Sequence, residues 1–140
     1  MNSRKVKQSL TNLGNAIMRL KEAIESDHSG TNSLVVDATI QRFEFVIELY
    51  WKTFKRILAY EGIETSTPRE ALQQAYSSRF IDNETLWLQF LKNRNATSHI
   101  YDEDTALRIF HHIQKNFEEF EQVYRRLMQR YEVDVQKQDE

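Results

Sequence analysis

One stretch of this 140-residue chain holds the residue types that phosphate chemistry needs: Lys92-Asn93-Arg94-Asn95-Ala96-Thr97-Ser98-His99-Ile100-Tyr101-Asp102. An arginine presents a planar fork of donors matched to phosphate and stays charged at physiological pH. A histidine, with a pKa of about 6.5, takes or gives a proton close to neutrality. Arg94 and His99 together can hold a phosphodiester and move the proton of a ribose 2′-hydroxyl without a metal.

Spacing sets a condition on that chemistry. On an unbroken α-helix, residues five apart diverge by about 140°. Arg94 and His99 therefore serve one site only if the helix ends between them, or if two copies of the chain meet. Asn95-Ala96-Thr97-Ser98 forms helix weakly. In an extended segment His99 and Tyr101 project to the same side. In the competing arrangement Arg94 pairs with a carboxylate, His99 caps or packs, and Tyr101 fills the core. Spacing alone favours that second arrangement.

Other chemistries find little support. The chain has no Cys, which removes disulfides, thiolate nucleophiles and Cys-ligated metal sites. It has no Gly-rich phosphate loop, no nucleophile elbow and no HExxH pair. His111 and His112 are adjacent and diverge by about 100° on a helix, so they cannot share a metal, and His28 reads as a loop residue. No metal and no cofactor is expected. Trp51, Trp87 and the Phe and Tyr residues recur at helical spacing and read as core before they read as base-stacking surfaces. The formal charge of −2 excludes coating of nucleic acid by bulk electrostatics, so any RNA contact must be local. No apolar run reaches the length of a membrane span and the N-terminus has no apolar signal core, so a cytoplasmic location is expected.

The elements that must position the motif segment are helices. Only 3 Gly and 1 Pro occur, too few to punctuate a many-stranded sheet. Val6, Leu10, Leu13, Ile17, Leu20 and Ile24 step by four and three, which predicts a first helix. The polar run Ser26–Ser33 then predicts a flexible surface loop. Val36, Ile40, Phe43, Ile47, Tyr50, Phe54 and Ile57 predict a long central helix, with Asp37 as a candidate cap at its start and Gly62 just past its end. Phe45, Val46, Leu49 and Trp51 widen its apolar surface. Interleaved with them, Arg42, Glu44, Glu48 and Lys52 suggest an outer face that meets a second subunit or a partner. Thr67-Pro68-Arg69-Glu70 has the form of a capping box with proline at the first helical position. Asp82 or Asn83 opens a fourth helix carrying Trp87 and Phe90. Asp102 opens a last long one from Leu107 to Tyr131. The expected fold is all-α, an antiparallel helical bundle of four to five helices, with residues 1–133 as one domain and 134–140 as a frayed polar tail.

Gln41-Arg42-Phe43-Glu44-Phe45 with Glu48, Trp51 and Lys52, then Thr67 to Ala71, then Trp87 to Asp102, resemble the nucleotidyltransferase substrate-binding family, a branch of the HEPN superfamily. The likeness covers nearly the whole chain. It implies a helical bundle that forms homodimers, with the Arg/His segments meeting in a cleft between subunits. It also implies pairing with a separate minimal nucleotidyltransferase. In some relatives that enzyme is the antitoxin of a metal-independent ribonuclease toxin, and the Tyr two residues after the His accepts AMP from it. Carried over, Arg94 stabilises the phosphate and transition state, His99 is the general base or acid, and Tyr101 is the candidate AMPylation site. Asn95, with Lys92 and Ser98, binds or orients the ligand. Each chain carries a single His in the motif, so a full acid–base pair needs His99 from both subunits or a water.

Two functions follow from this resemblance. The first is a partner subunit that binds the nucleotidyltransferase and presents, or serves as, its nucleotidyl acceptor. The second is an endoribonuclease toxin that uses Arg94 and His99 and is silenced by AMPylation at Tyr101. RNA or a nucleotide is the implied ligand.

Overall fold

The computed structural model describes residues 2–97 and 102–139, and among these the secondary structure is entirely helical. Five helices follow in order: α1 (Asn2–Ser26), α2 (Ser33–Tyr60), α3 (Pro68–Ser77), α4 (Glu84–Thr97) and α5 (Glu103–Asp139). The apolar steps read from the sequence are the buried ones. Val6, Leu10, Leu13, Ile17, Leu20 and Ile24 of α1 are all buried, as are Val36 through Ile57 at the same spacing on α2. Burying these faces against one another, rather than intrinsic propensity, supplies most of the helices' stability.

The helix ends have identifiable causes. At the start of α3, the Thr67 hydroxyl accepts from Glu70 N at 3.1 Å, while the Glu70 carboxylate accepts from Ser66 N at 2.9 Å. This is the expected capping box, displaced by one residue on its return bond. Asn83, not Asp82, caps α4, its side chain accepting from Leu86 N. Asp102 caps α5 through Asp104 N and the Thr105 hydroxyl. Gly62, at φ 91°, ends α2 with two return bonds, Gly62 N to Ala59 O and Ile63 N to Leu58 O.

The start of α2 differs from expectation. Asn32 is the cap and its side chain accepts from Leu34 N, so Asp37 sits one turn inside the helix. Leu34 is 78% exposed, so it adds nothing to the apolar stripe from which the start was read. The loop before it is internally bonded. Asp27 accepts from Ser29 and from Asn32 N, and these bonds, Ser29's hydroxyl foremost, hold its carboxyl below the usual range.

The topology is up-down-up-down. Neighbours are antiparallel: Glu22 of α1 meets Arg42 of α2 while Asn12 shares a cleft with Leu49; Phe43 and Phe54 of α2 meet Phe90 and Trp87 of α4 in that order; and Trp87 and Asn93 of α4 meet Glu119 and His112 of α5. α2 and α5 run parallel and their aromatic rings meet in the centre. Tyr50 packs against Phe54, Trp87 and Phe120, and its hydroxyl donates to Phe120 O. Burial, and after it the Glu119 charge, pushes the Tyr50 phenol well above its ordinary pKa, so it stays a donor. Short α3 leads back through Phe80, which stacks on Phe54. α5 runs on to Asp139 and takes in most of the polar stretch after residue 133.

Candidate functional site

The motif segment begins on the last turns of α4, and what fixes those turns is an aromatic and polar underside. Trp87 and Phe90 are fully buried, and Asn93, one turn further, is 2% exposed. Asn93 is satisfied there: its carbonyl accepts from Gln89 Nε2 at 3.0 Å and its amide meets His112 Nδ1 at 3.3 Å. A buried amide without such partners would cost about 1–3 kcal/mol. Burial, then the Arg108 and Lys115 charges, depresses the His112 pKa and favours the neutral ring that Asn93 meets.

With Asn93 turned inward, the next residue emerges on the α2 side. The Arg94 guanidinium meets the Glu48 carboxylate, Nη2 to Oε2, at 3.2 Å. Glu48 also accepts from Trp51 Nε1 at 3.1 Å and pairs with Lys52 at 3.2 Å. Partial burial raises the Glu48 pKa. The Trp51 and Lys52 donors and the Lys52 and Arg94 charges outweigh it, so the carboxyl is held below its ordinary value and stays ionised. The expectation that Arg94 pairs with a carboxylate is therefore met, and the pairing also aims the side chain.

Arg94 and Glu48 stand at one wall of a cleft of ≈ 570 Å³ between α1, α2 and α4, where Arg19, Arg42, Glu44 and Phe45 also line the surface. Its volume lies in the range of small-molecule sites. Arg42 is held by Arg19 O at 2.6 Å and by Glu22 at 3.8 Å. Phe45 stays 57% exposed beside it. Arg42, Glu44, Glu48 and Lys52 were singled out from sequence as an outer face. The structure gathers the first three around one concavity, with Lys52 bound to Glu48 behind it.

The nominated residues separate. Arg94 lines the cleft, whereas Lys92 and Asn95 are exposed on α4 outside its wall. Ser98, His99 and Tyr101 lie outside the described residues. Trp87 is buried with its indole N–H on Glu119 at 2.8 Å, as a core residue. His111 meets Gln114 and His112 meets Asn93, and among the described residues no three His, Cys, Asp or Glu side chains gather to hold a metal. Among the described residues, too, no helix is long and apolar enough to cross a membrane. Sequence reasoning missed Asn93, although its position on the Trp87–Phe90 stripe marks it as inward-facing, and it missed Arg19, which the α1 pattern puts on a solvated face.

The chain belongs to the family described as nucleotidyltransferase substrate binding protein like, whose family model matches residues 8–129. A protein of Haemophilus influenzae named "Probable ribonuclease HepT" is 30% identical over 105 residues, covering 71% of this chain and 72% of that one. The crystal structure of a Thermus thermophilus protein superimposes with a TM-score of 0.74 at 31% identity, covering 82% of this chain and 98% of that one.

Proposed function

We propose that this chain is the substrate-binding partner subunit of a two-component minimal nucleotidyltransferase system, and that the Arg94 cleft is where nucleotidyl chemistry is received. The observation that carries this reading is the Arg94 guanidinium, fixed by Glu48 at the edge of a nucleotide-sized cleft in a chain that matches the family over residues 8–129. A fixed guanidinium stabilises negative charge on phosphate without reorganising as the charge grows. In this role Tyr101 is the acceptor. Its phenol oxygen attacks the α-phosphorus of ATP bound by the partner, pyrophosphate leaves, and the phenolic proton passes to a base, for which His99 is the nominated group. Incubation with the partner enzyme and ATP labelled at the α-phosphate tests this. Label on the wild-type chain and none on Tyr101→Phe supports it; equal labelling of both rejects Tyr101 as acceptor.

A second reading is favoured by one observation, the similarity to the Haemophilus influenzae protein named "Probable ribonuclease HepT". In it the chain is a metal-independent endoribonuclease: Arg94 stabilises the pentacoordinate phosphate, and His99 removes the 2′-hydroxyl proton. AMP on Tyr101 would then compete with RNA phosphate for Arg94. A homodimer that brings two copies of His99 together supplies both base and acid. Cleavage of RNA in EDTA by the wild type, absent in His99→Ala, is the expected result; undiminished cleavage by His99→Ala removes His99 from the reaction.

A further inference from the structure

We propose that α1 and α2 carry a single-stranded oligonucleotide track leading to Arg94, with Phe45 as its stacking step and Arg19 and Arg42 as its phosphate contacts. The inference deepens the nucleic-acid side of the function proposed above. It rests on that reading only through Arg94, because binding on the track requires neither cleavage nor nucleotidyl transfer.

Geometry carries the argument. The Arg94 cleft is continuous with a second cleft of ≈ 520 Å³, and the two share Ala16, Arg19 and Phe45. Buried Ala16 and Phe45, which is 57% exposed, line both concavities. An exposed aromatic ring shared by two adjoining clefts can serve as a step between successive bases, and such stacking accepts any base because each has a π face. Exposed Asn12 and Asn15 line the second cleft and offer amides, each with donors and an acceptor, to base edges.

Charge agrees with an anionic ligand. Across the two clefts three arginines face three glutamates, but Glu48 is already neutralised by Lys52 and Arg94, and Glu22 pairs with Arg42. Arg42 is clamped to Arg19 O and lies 3.8 Å from Glu22, so its guanidinium is pre-positioned, and of its five N–H donors the bond to Arg19 O uses one. The Arg19 side chain has no ion pair or hydrogen bond with the other described residues and sits where both clefts join. The chain is acidic overall, so a phosphate contact here falls to Arg19 at the junction of the clefts and not to bulk charge.

The test is fluorescence anisotropy of a labelled eight-nucleotide RNA with the purified full chain in EDTA, alongside AMP as competitor. Phe45→Ala and Arg19→Glu are each expected to weaken RNA binding by about tenfold or more. Arg69→Glu, an equal charge reversal on exposed α3, is expected to leave binding within about twofold, and AMP is expected to compete only weakly. Circular dichroism checks that each variant is folded. Wild-type affinity in Phe45→Ala overturns the proposal, and so does an Arg69→Glu loss equal to that of Arg19→Glu. AMP competing as well as the oligomer overturns the two-step track in favour of a mononucleotide pocket. Dissociation of a homodimer by Phe45→Ala with RNA affinity unchanged reassigns the face to subunit contact. Loss of binding in these variants stands whether or not Tyr101 is labelled or RNA is cut, so this proposal and the function above fail separately.

Discussion

The Glu48 carboxylate and the Arg94 guanidinium meet at 3.2 Å across α2 and α4, although 46 residues separate them in the chain. The pair joins the motif helix to the central helix and sets the direction in which Arg94 emerges.

Acid should loosen this pair. The Glu48 pKa is depressed in the fold, so its contribution to stability is fully present above the ordinary glutamate value of about 4.3 and is lost as pH falls through the lower, folded value. Thermal melts of wild type and Glu48→Gln should differ at pH 7, with the variant less stable by about 1 kcal/mol, and converge near the acid end. A difference that persists unchanged under acid would assign the effect to packing instead.

His112 should give a second pH response at milder acidity. Its pKa is lowered in the fold by burial first and then by Arg108 and Lys115, so the native state resists protonation. Stability is complete above about 6.5 and falls as pH drops through that value toward the folded one. Between pH 7.5 and 5.5 the wild type should lose more in Tm than His112→Gln does. Equal losses would exclude His112 as the source.

Gly30 and Gly62 both have φ in the left-handed region, at 78° and 91°, but their surroundings differ. A Cβ on Gly30 meets Leu107 at 3.1 Å and Phe110 at 3.3 Å, whereas one on Gly62 meets nothing within 4 Å. Gly62→Ala should therefore cost only the backbone strain, about 1–2 kcal/mol, and Gly30→Ala more than that. Urea denaturation of the two variants measures the order directly.

Trp87 should act on stability, not on ligand binding. It is fully buried against Tyr50, Phe54, Phe90 and Phe120 and donates to Glu119. Trp87→Phe should lower stability by about 1–3 kcal/mol while RNA affinity of the folded fraction stays unchanged. Loss of affinity without loss of stability would instead make Trp87 a stacking surface.

The stripes of α1, α2 and α5 were legible because burial on one face imposes a 3.6-residue period, and the caps Thr67 and Asp102 were legible because few side chains satisfy a helix start, which for α4 narrowed the choice to Asp82 or Asn83. Asp37 was misread as a cap because the first turn of α2 holds exposed Leu34, which carries no period. The site was half legible. Arg94 stood out by its chemistry and Glu48 by its place among apolar residues, but nothing local links them, since the contact depends on how α2 and α4 pack. Asn93 was passed over because an amide reads as surface unless its partners, Gln89 and His112, are known. The junction of two clefts at Phe45 and Arg19 belongs to the α1–α2 packing and leaves no mark in either helix's own pattern.

Partnership with a nucleotidyltransferase is the centre of this account, and light scattering during size-exclusion chromatography tests it most directly. The purified chain would be mixed with a minimal nucleotidyltransferase from the same organism, at micromolar concentration. A single species whose mass contains both proteins is the predicted result. Two peaks at the masses of the separate proteins, with the chain folded and active in RNA binding, would contradict it.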